Sequence, residues 1–200
     1  MRAFPLELRS MTYVLHYAPD NASMIIRLAL EHRGLPYRTQ LVDRSTNEQK
    51  GAAYLALNPN GLVPVLETDT GTIFETGAIL LWLGDTHGGL GPTAQDVGRS
   101  DYLKWLFYVA NTLHPALRMM FYPAKYIGPD LALQQALKSG LREQIKEALA
   151  QLDRVAATSP EWLSSSSPSA LNFYIACCLR WCALYPMDAQ HSWFDLSATP

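Results

Sequence analysis

Three short stretches hold groups able to do chemistry. Residues 58–66 read NPNGLVPVL, and Pro64 interrupts an otherwise strand-like run, Leu62-Val63 and Val65-Leu66. Proline has no N–H and breaks a sheet ladder, so this spot suits pairing with something other than the chain itself. A cis X-Pro bond here would turn the Val63 backbone outward, offering its N–H and C=O to a bound peptide as one added strand. Nine residues past Val65 comes Phe74-Glu75-Thr76-Gly77-Ala78, where a strand passes directly into a helix. A helix start has free N–H groups and partial positive charge, so it holds a carboxylate well; Thr76 adds a hydroxyl donor, and Glu75 can accept from an ammonium. The third stretch is Tyr17-Ala18-Pro19-Asp20-Asn21-Ala22-Ser23, between a first strand and a first helix. A thiol held at such a helix start ionises more easily, with Asn21 and Ser23 as donors within reach. Each stretch also has a plainer reading: Pro64 as a trans proline at a strand edge, and Thr76, Asn21 or Ser23 as ordinary helix caps.

The elements that must position these groups change character along the chain. Before residue 90, short apolar strands alternate with helical patterns. Thr12 to Tyr17 predicts a strand, Ala22 to Arg33 a helix stopped by Gly34, Pro36 to Val42 a second strand, and Asn47 to Leu57 a weaker helix. Val63 to Glu67 and Thr72 to Phe74 predict a hairpin through Thr68-Asp69-Thr70-Gly71, and a further helix begins at Thr76. This β-α-β, helix, hairpin, helix order is that of a thioredoxin-like domain: a mixed four-stranded sheet with helices. After residue 90 nearly everything reads as helix: Arg99 to Met120 with a bend before Pro115, Leu131 to Ala157, and Ser169 to Leu184. Ser169 and Asn172 resemble a capping box with Asn in place of Glu or Gln. The expected organisation is an N-terminal extension over 1–10, a thioredoxin-like domain over 11–86, a glycine-bearing linker over 87–98 and an all-α helical-bundle domain over 99–200.

Composition removes several classes of function. Apolar residues make up 48% and charged residues 17% of the 200, enough for a sizeable core. A formal charge of −2, from 16 basic and 18 acidic residues well mixed, argues against nucleic acid and anionic membrane as partners. The longest apolar run, Leu171 to Tyr185, is interrupted by Asn172 and Arg180 and is too short to span a bilayer. MRAFPLELRS lacks the apolar core of a signal peptide, so a cytoplasmic protein is expected. The three cysteines, Cys177, Cys178 and Cys182, share one apolar helix without a CxxC pair, and the histidines are scattered. Buried structural thiols and no metal site are expected.

Taken together, these motifs resemble a soluble, bacterial-type glutathione transferase. NPNGLVPVL resembles that family's NPxGxVPxL motif, and FETGAIL its ExxAI segment with Thr76 where Ser is usual. YAPDNAS with MIIRLALEHRGLPYR resembles the first helix and second strand, and SPSALNFYIA the capping-box helix of the C-terminal domain. The resemblance implies glutathione as co-substrate. Val63 and Pro64 would bind its cysteinyl part, Glu75 and Thr76 its γ-glutamyl end, and Lys50 its glycine carboxylate, with the 17–23 loop holding the sulfur. Ser23 or Asn21 would activate the thiol. A greasy pocket for the electrophile would use Tyr17, Trp105, Tyr108, Met119, Met120 and Tyr122, although that stripe also reads as ordinary core. A homodimer is implied. Bacterial relatives often place Cys where Ala22 stands, and relatives continue into a further helix beyond SWFDLSATP.

The expected activity is conjugation of glutathione thiolate to a small hydrophobic electrophile. Two rivals stand beside it: a glutathione-dependent reductase of peroxides or disulfides, and a non-catalytic glutathione- or protein-binding module on the same fold.

Overall fold

The computed structural model describes residues 13–184. The expected extension over 1–10 and the terminal SWFDLSATP lie outside the described residues. The chain divides into two compact units that meet between His87 and Gly88.

The first unit is built on a four-stranded sheet in the order β2-β1-β3-β4. Strand β1 is Tyr13–Tyr17, β2 Tyr37–Leu41, β3 Val65–Thr68 and β4 Gly71–Phe74. β1 runs parallel to β2 and antiparallel to β3, and β3 is antiparallel to β4. Side chains alternate across a strand, and β1 uses both faces. Tyr13 meets Trp82 and His87 of α3 (Thr76–His87), while His16 meets Tyr54 of α2 (Ala52–Leu57). The sheet is therefore covered on both sides, which is why YVLHY is buried for four of its five residues. β2 is one of the two edge strands, and its YRTQL is accordingly polar and mostly exposed.

Helix α1 (Ser23–His32) crosses from β1 to β2 and packs on β1 and α3. Ile25, Ile26, Ala29 and Leu30 are completely buried. Their spacing makes one apolar stripe, and each of the three large side chains contributes about 1.5–3 kcal/mol by leaving water. The weaker helix expected over 47–57 is two pieces, a 3-10 turn at Glu48–Lys50 and α2. Gly51 separates them in an extended conformation. Helix α3 runs on to His87, the first residue of the expected 87–98 linker. Its last turn is anchored by the Tyr13 hydroxyl, 2.6 Å from His87 Nε2.

The second unit is helical. The long helix expected over 99–120 is α4 (Arg99–Tyr108), a π-helical turn at Val109–Leu113 and α5 (His114–Phe121). Pro115 cannot donate to a carbonyl one turn back, and the wider turn ahead of it absorbs that missing bond. A short α6 (Ala124–Ile127) precedes α7 (Leu131–Ala157), whose Asp130 accepts the N–H groups of Ala132 and Leu133 at 2.8 and 3.0 Å. A 3-10 turn at Glu161–Leu163 leads to α8 (Ala170–Leu184). Its start is a working capping box. The Ser169 N–H donates to Asn172 Oδ1 at 2.9 Å, and the Leu171 N–H donates to Ser169 Oγ at 3.2 Å. Asn is shorter than Glu, but its amide oxygen reaches the same N–H.

Candidate functional site

Strand register decides what meets at the end of the sheet. His16 of β1 is opposite Val65 of β3, and Val65 is opposite Phe74 of β4. Because β3 is antiparallel to both neighbours, the loop after β1, the segment before β3 and the turn after β4 emerge at one edge. Adjacent strands lie about 4.8 Å apart, so these three segments span about 10 Å, the length of an extended tripeptide. β2 ends at the same edge, Leu41 opposite Tyr17, and leads toward Lys50.

The middle segment is Leu62-Val63-Pro64, with a cis peptide bond between Val63 and Pro64. Val63 is half-buried and lies just outside β3. Among the described residues, its N–H and C=O take no part in the chain's own turn, loop and cap backbone bonds. The turn ahead of it explains NPNG residue by residue. Asn58 is buried and uses all four of its polar groups. Its N–H donates to the Tyr54 carbonyl, its carbonyl accepts from Gly61, its Oδ1 from Asn60, and its Nδ2 donates to the Leu62 carbonyl. Gly61 has φ +60°, and a Cβ there would sit 2.6 Å from the Gln49 carbonyl oxygen and 3.0 Å from Lys50 Nζ. Only glycine fits. The same distances place the Lys50 ammonium close over this turn.

The β4 turn contributes Glu75 and Thr76. Glu75 is exposed with φ +72°, and its carbonyl accepts the Ile79 N–H at 2.9 Å, so it occupies the cap position of α3. A left-handed non-glycine residue costs about 1–2 kcal/mol and clusters at functional turns. Thr76 is only 6% exposed, yet among the described residues its hydroxyl makes no hydrogen bond within the chain. That hydroxyl remains free for a ligand at the positive end of α3.

The β1 loop holds the Ser23 hydroxyl within its own turn. Ser23 is 4% exposed, and its hydroxyl donates within the turn, 2.5 Å from Asn21 Oδ1 and 3.3 Å from the Ala18 carbonyl. A hydroxyl has a single proton. Here that proton is spent on the loop. Asn21 is half-buried, and its Oδ1 also accepts the Ser23 N–H at 2.9 Å. An N–H must meet oxygen, so the carboxamide orientation is fixed and Nδ2 faces away from Ser23 with two protons to offer.

The residues expected to line a second pocket are spread along α4, α5 and the turn after them. Trp105 and Tyr108 stack edge-to-face, centroids 5.2 Å apart, and burial first, then Glu147 of α7, pushes the Tyr108 pKa up, with Arg154 opposing. Trp105 lines a shallow cleft of about 280 Å³ with Arg154, Trp162 and neighbours. Met119 and Tyr122 lie about 15–25 Å further along the helical rise. Met120 is core.

Several interactions carried no sequence signal. His16 Nε2 is 2.7 Å from Glu67 Oε1 across the sheet. His114 Nδ1 is 2.7 Å from the Tyr174 hydroxyl and its ring lies against Trp181, where burial first and Arg118 second push its pKa down to about 4. The thiols are buried: burial raises Cys178 well above its usual range and Cys182 to about 12, so neither is a ready nucleophile. Among the described residues no group of three or more His, Cys, Asp or Glu can hold a metal ion, and no helix is long and apolar enough to cross a membrane.

A sheet edge with an unpaired backbone segment between two loop-to-helix starts, followed by a helical unit, defines a thioredoxin-like domain joined to an all-α region. Comparison with known proteins agrees. Residues 22–86 match the glutathione S-transferase N-terminal domain. The chain is 27% identical over 169 residues to glutathione S-transferase GST-4.5 of Xanthomonas campestris, covering 84% of this chain and 81% of the relative. It is 29% identical over 145 residues to a maleylacetoacetate isomerase of Rhizobium meliloti, covering 72% and 68%. A sphingomonad glutathione S-transferase solved with glutathione superposes with a TM-score of 0.74 at 27% identity, covering 94% of this chain and 87% of that one. Over most of its length the chain is similar to glutathione transferases, and residues 22–86 match the N-terminal domain of that family.

Proposed function

We infer that this protein binds glutathione along the sheet edge and transfers its thiolate to a small hydrophobic electrophile. The observation that carries this reading is the register: three segments with unused polar groups emerge side by side over about 10 Å. The γ-glutamyl carboxylate would sit at the α3 start with the Thr76 hydroxyl, and its ammonium near Glu75. The cysteinyl main chain would pair with Val63 N–H and C=O beside Pro64. The glycine carboxylate would lie toward Lys50, and the sulfur toward Asn21. The order of these anchors across the sheet follows the order of groups along the tripeptide.

The chemistry asked of the protein is modest. A free thiol titrates near 8.5, and each unit of lowering corresponds to about 1.4 kcal/mol. Asn21 Nδ2 and the start of α1 supply donors to the thiolate. Binding then fixes the nucleophile, so the electrophile meets a placed sulfur rather than a diffusing one. The thiolate attacks carbon, the carbon–halide or equivalent bond breaks, and the leaving group departs with its electron pair.

The reductase reading has less support, because Ala22 stands in the sulfur loop and the chain's three thiols are buried in α8. A cytoplasmic homodimer accords with the family resemblance and belongs to the same proposal. The deciding experiment pairs glutathione calorimetry with conjugation of chlorodinitrobenzene. Binding with turnover supports the transferase, binding without turnover leaves a binding module, and no binding refutes the cradle.

A further inference from the structure

The Leu62 carbonyl is held by two buried donors at once. The Tyr54 hydroxyl and Asn58 Nδ2 each donate to it at 2.8 Å. Tyr54 is 5% exposed and Asn58 2% exposed. A carbonyl oxygen has two lone pairs, so this acceptor is saturated. The peptide that carries it is the one that carries the Val63 N–H. A trans peptide is planar, and its C=O and N–H point in opposite directions. Fixing the oxygen toward Tyr54 and Asn58 therefore fixes the Val63 N–H away from them.

We propose that Tyr54 and Asn58 are positioning residues that clamp the Leu62–Val63 peptide, so that the Val63 N–H is presented, already oriented, to the main chain of the bound tripeptide. This rests on the glutathione reading above. The clamp has its own support. The Tyr54 ring packs edge-on against His16, centroids 5.9 Å apart, and His16 is tied to Glu67 across the sheet. Burial raises the Tyr54 pKa, so the hydroxyl stays protonated and donates throughout the working pH range. Asn58 is held by its three other bonds, and Tyr54 packs with Val42, Val65 and Phe74. Neither donor can turn aside without breaking the turn or the core. An N–H held in place before binding spares the ligand the cost of ordering it.

Tyr54→Phe removes one donor and leaves the ring. The expected result is glutathione affinity weakened roughly 3- to 10-fold, with the pKa of the bound thiol unchanged, because the clamp acts on the peptide contact and not on sulfur. A general loosening of the fold would move both. A direct signature is the Leu62 carbonyl-carbon NMR shift in the ligand-free protein, which moves upfield when one of its two hydrogen bonds is lost. Unchanged affinity in the variant, while the parent binds glutathione, overturns the proposal. If the parent itself fails to bind glutathione, the functional reading falls, and the Leu62 resonance decides the clamp separately: an unchanged shift in Tyr54→Phe refutes it, and a moved shift supports it. Asn58→Ala, which also breaks the turn, serves as the variant expected to lose binding and stability together.

Discussion

Asn21→Asp isolates the group proposed to meet the sulfur. Aspartate keeps the acceptor oxygen, so both bonds from Ser23, at 2.9 and 2.5 Å, survive and the start of α1 stays capped. What changes is the far side of the side chain, where two N–H donors become a carboxylate oxygen. Losing a hydrogen bond to a charged sulfur costs about 1.5–3 kcal/mol. A carboxylate about 4 Å from the thiolate adds about 1 kcal/mol of repulsion in a water-like setting and about 4 at an effective dielectric constant of 20. Asn21 is partly open to solvent, so with the repulsion near its water-like value the total is about 2.5–4 kcal/mol, which raises the bound thiol pKa by about 2–3 units. A more basic thiolate is also a better nucleophile, with a slope near 0.5, so kcat/KM at neutral pH falls about 10- to 30-fold rather than by the whole thiolate loss. Above the raised pKa the deficit closes. The assay is the pH profile of chlorodinitrobenzene conjugation, read beside the ultraviolet absorbance of bound thiolate. The same inflection in parent and variant, with both still binding glutathione, would refute the assignment of Asn21.

Thr76→Val removes a hydroxyl that makes no bond within the described chain, so calorimetry should show glutathione binding weakened roughly 3- to 10-fold while chemical denaturation shows stability nearly unchanged. Gly61→Ala puts a Cβ 2.6 Å from the Gln49 carbonyl oxygen at φ +60°, and urea unfolding should report a loss of about 2 kcal/mol or more. His114 has a folded pKa of about 4, below its unfolded value, so its contribution to stability is complete above about pH 6.5 and is lost as pH falls toward 4. Urea titrations at neutral pH and near pH 4.5 should differ by up to about 3 kcal/mol from this group, and His114→Gln should narrow that difference.

Much of this was legible because it rests on local chemistry. The NPNG turn, the Thr76 helix start and the hairpin are written in residues with few other uses, and α7 begins and ends where its apolar stripe and caps put it. Even an unusual Asn172 declared the start of α8. What escaped was whatever depends on three-dimensional geometry rather than on residue type and spacing. Ser23 looked like a free hydroxyl until the fold of the 18–23 turn showed two acceptors beside it. Periodicity placed Trp105 and Met119 on one stripe but could not say how far apart along the axis they lie. Tyr54 had no signal beyond its place in the weaker 47–57 helix, and only the packed turn shows that its hydroxyl reaches Leu62.

The most direct measurement is a crystal structure of the protein with glutathione bound. The cysteinyl main chain should pair with the Val63 N–H and C=O, the γ-glutamyl carboxylate should lie at Thr76, and the sulfur should lie within hydrogen-bond distance of Asn21 Nδ2. Glutathione bound elsewhere, or a Val63 backbone left unpaired in the complex, would contradict the cradle.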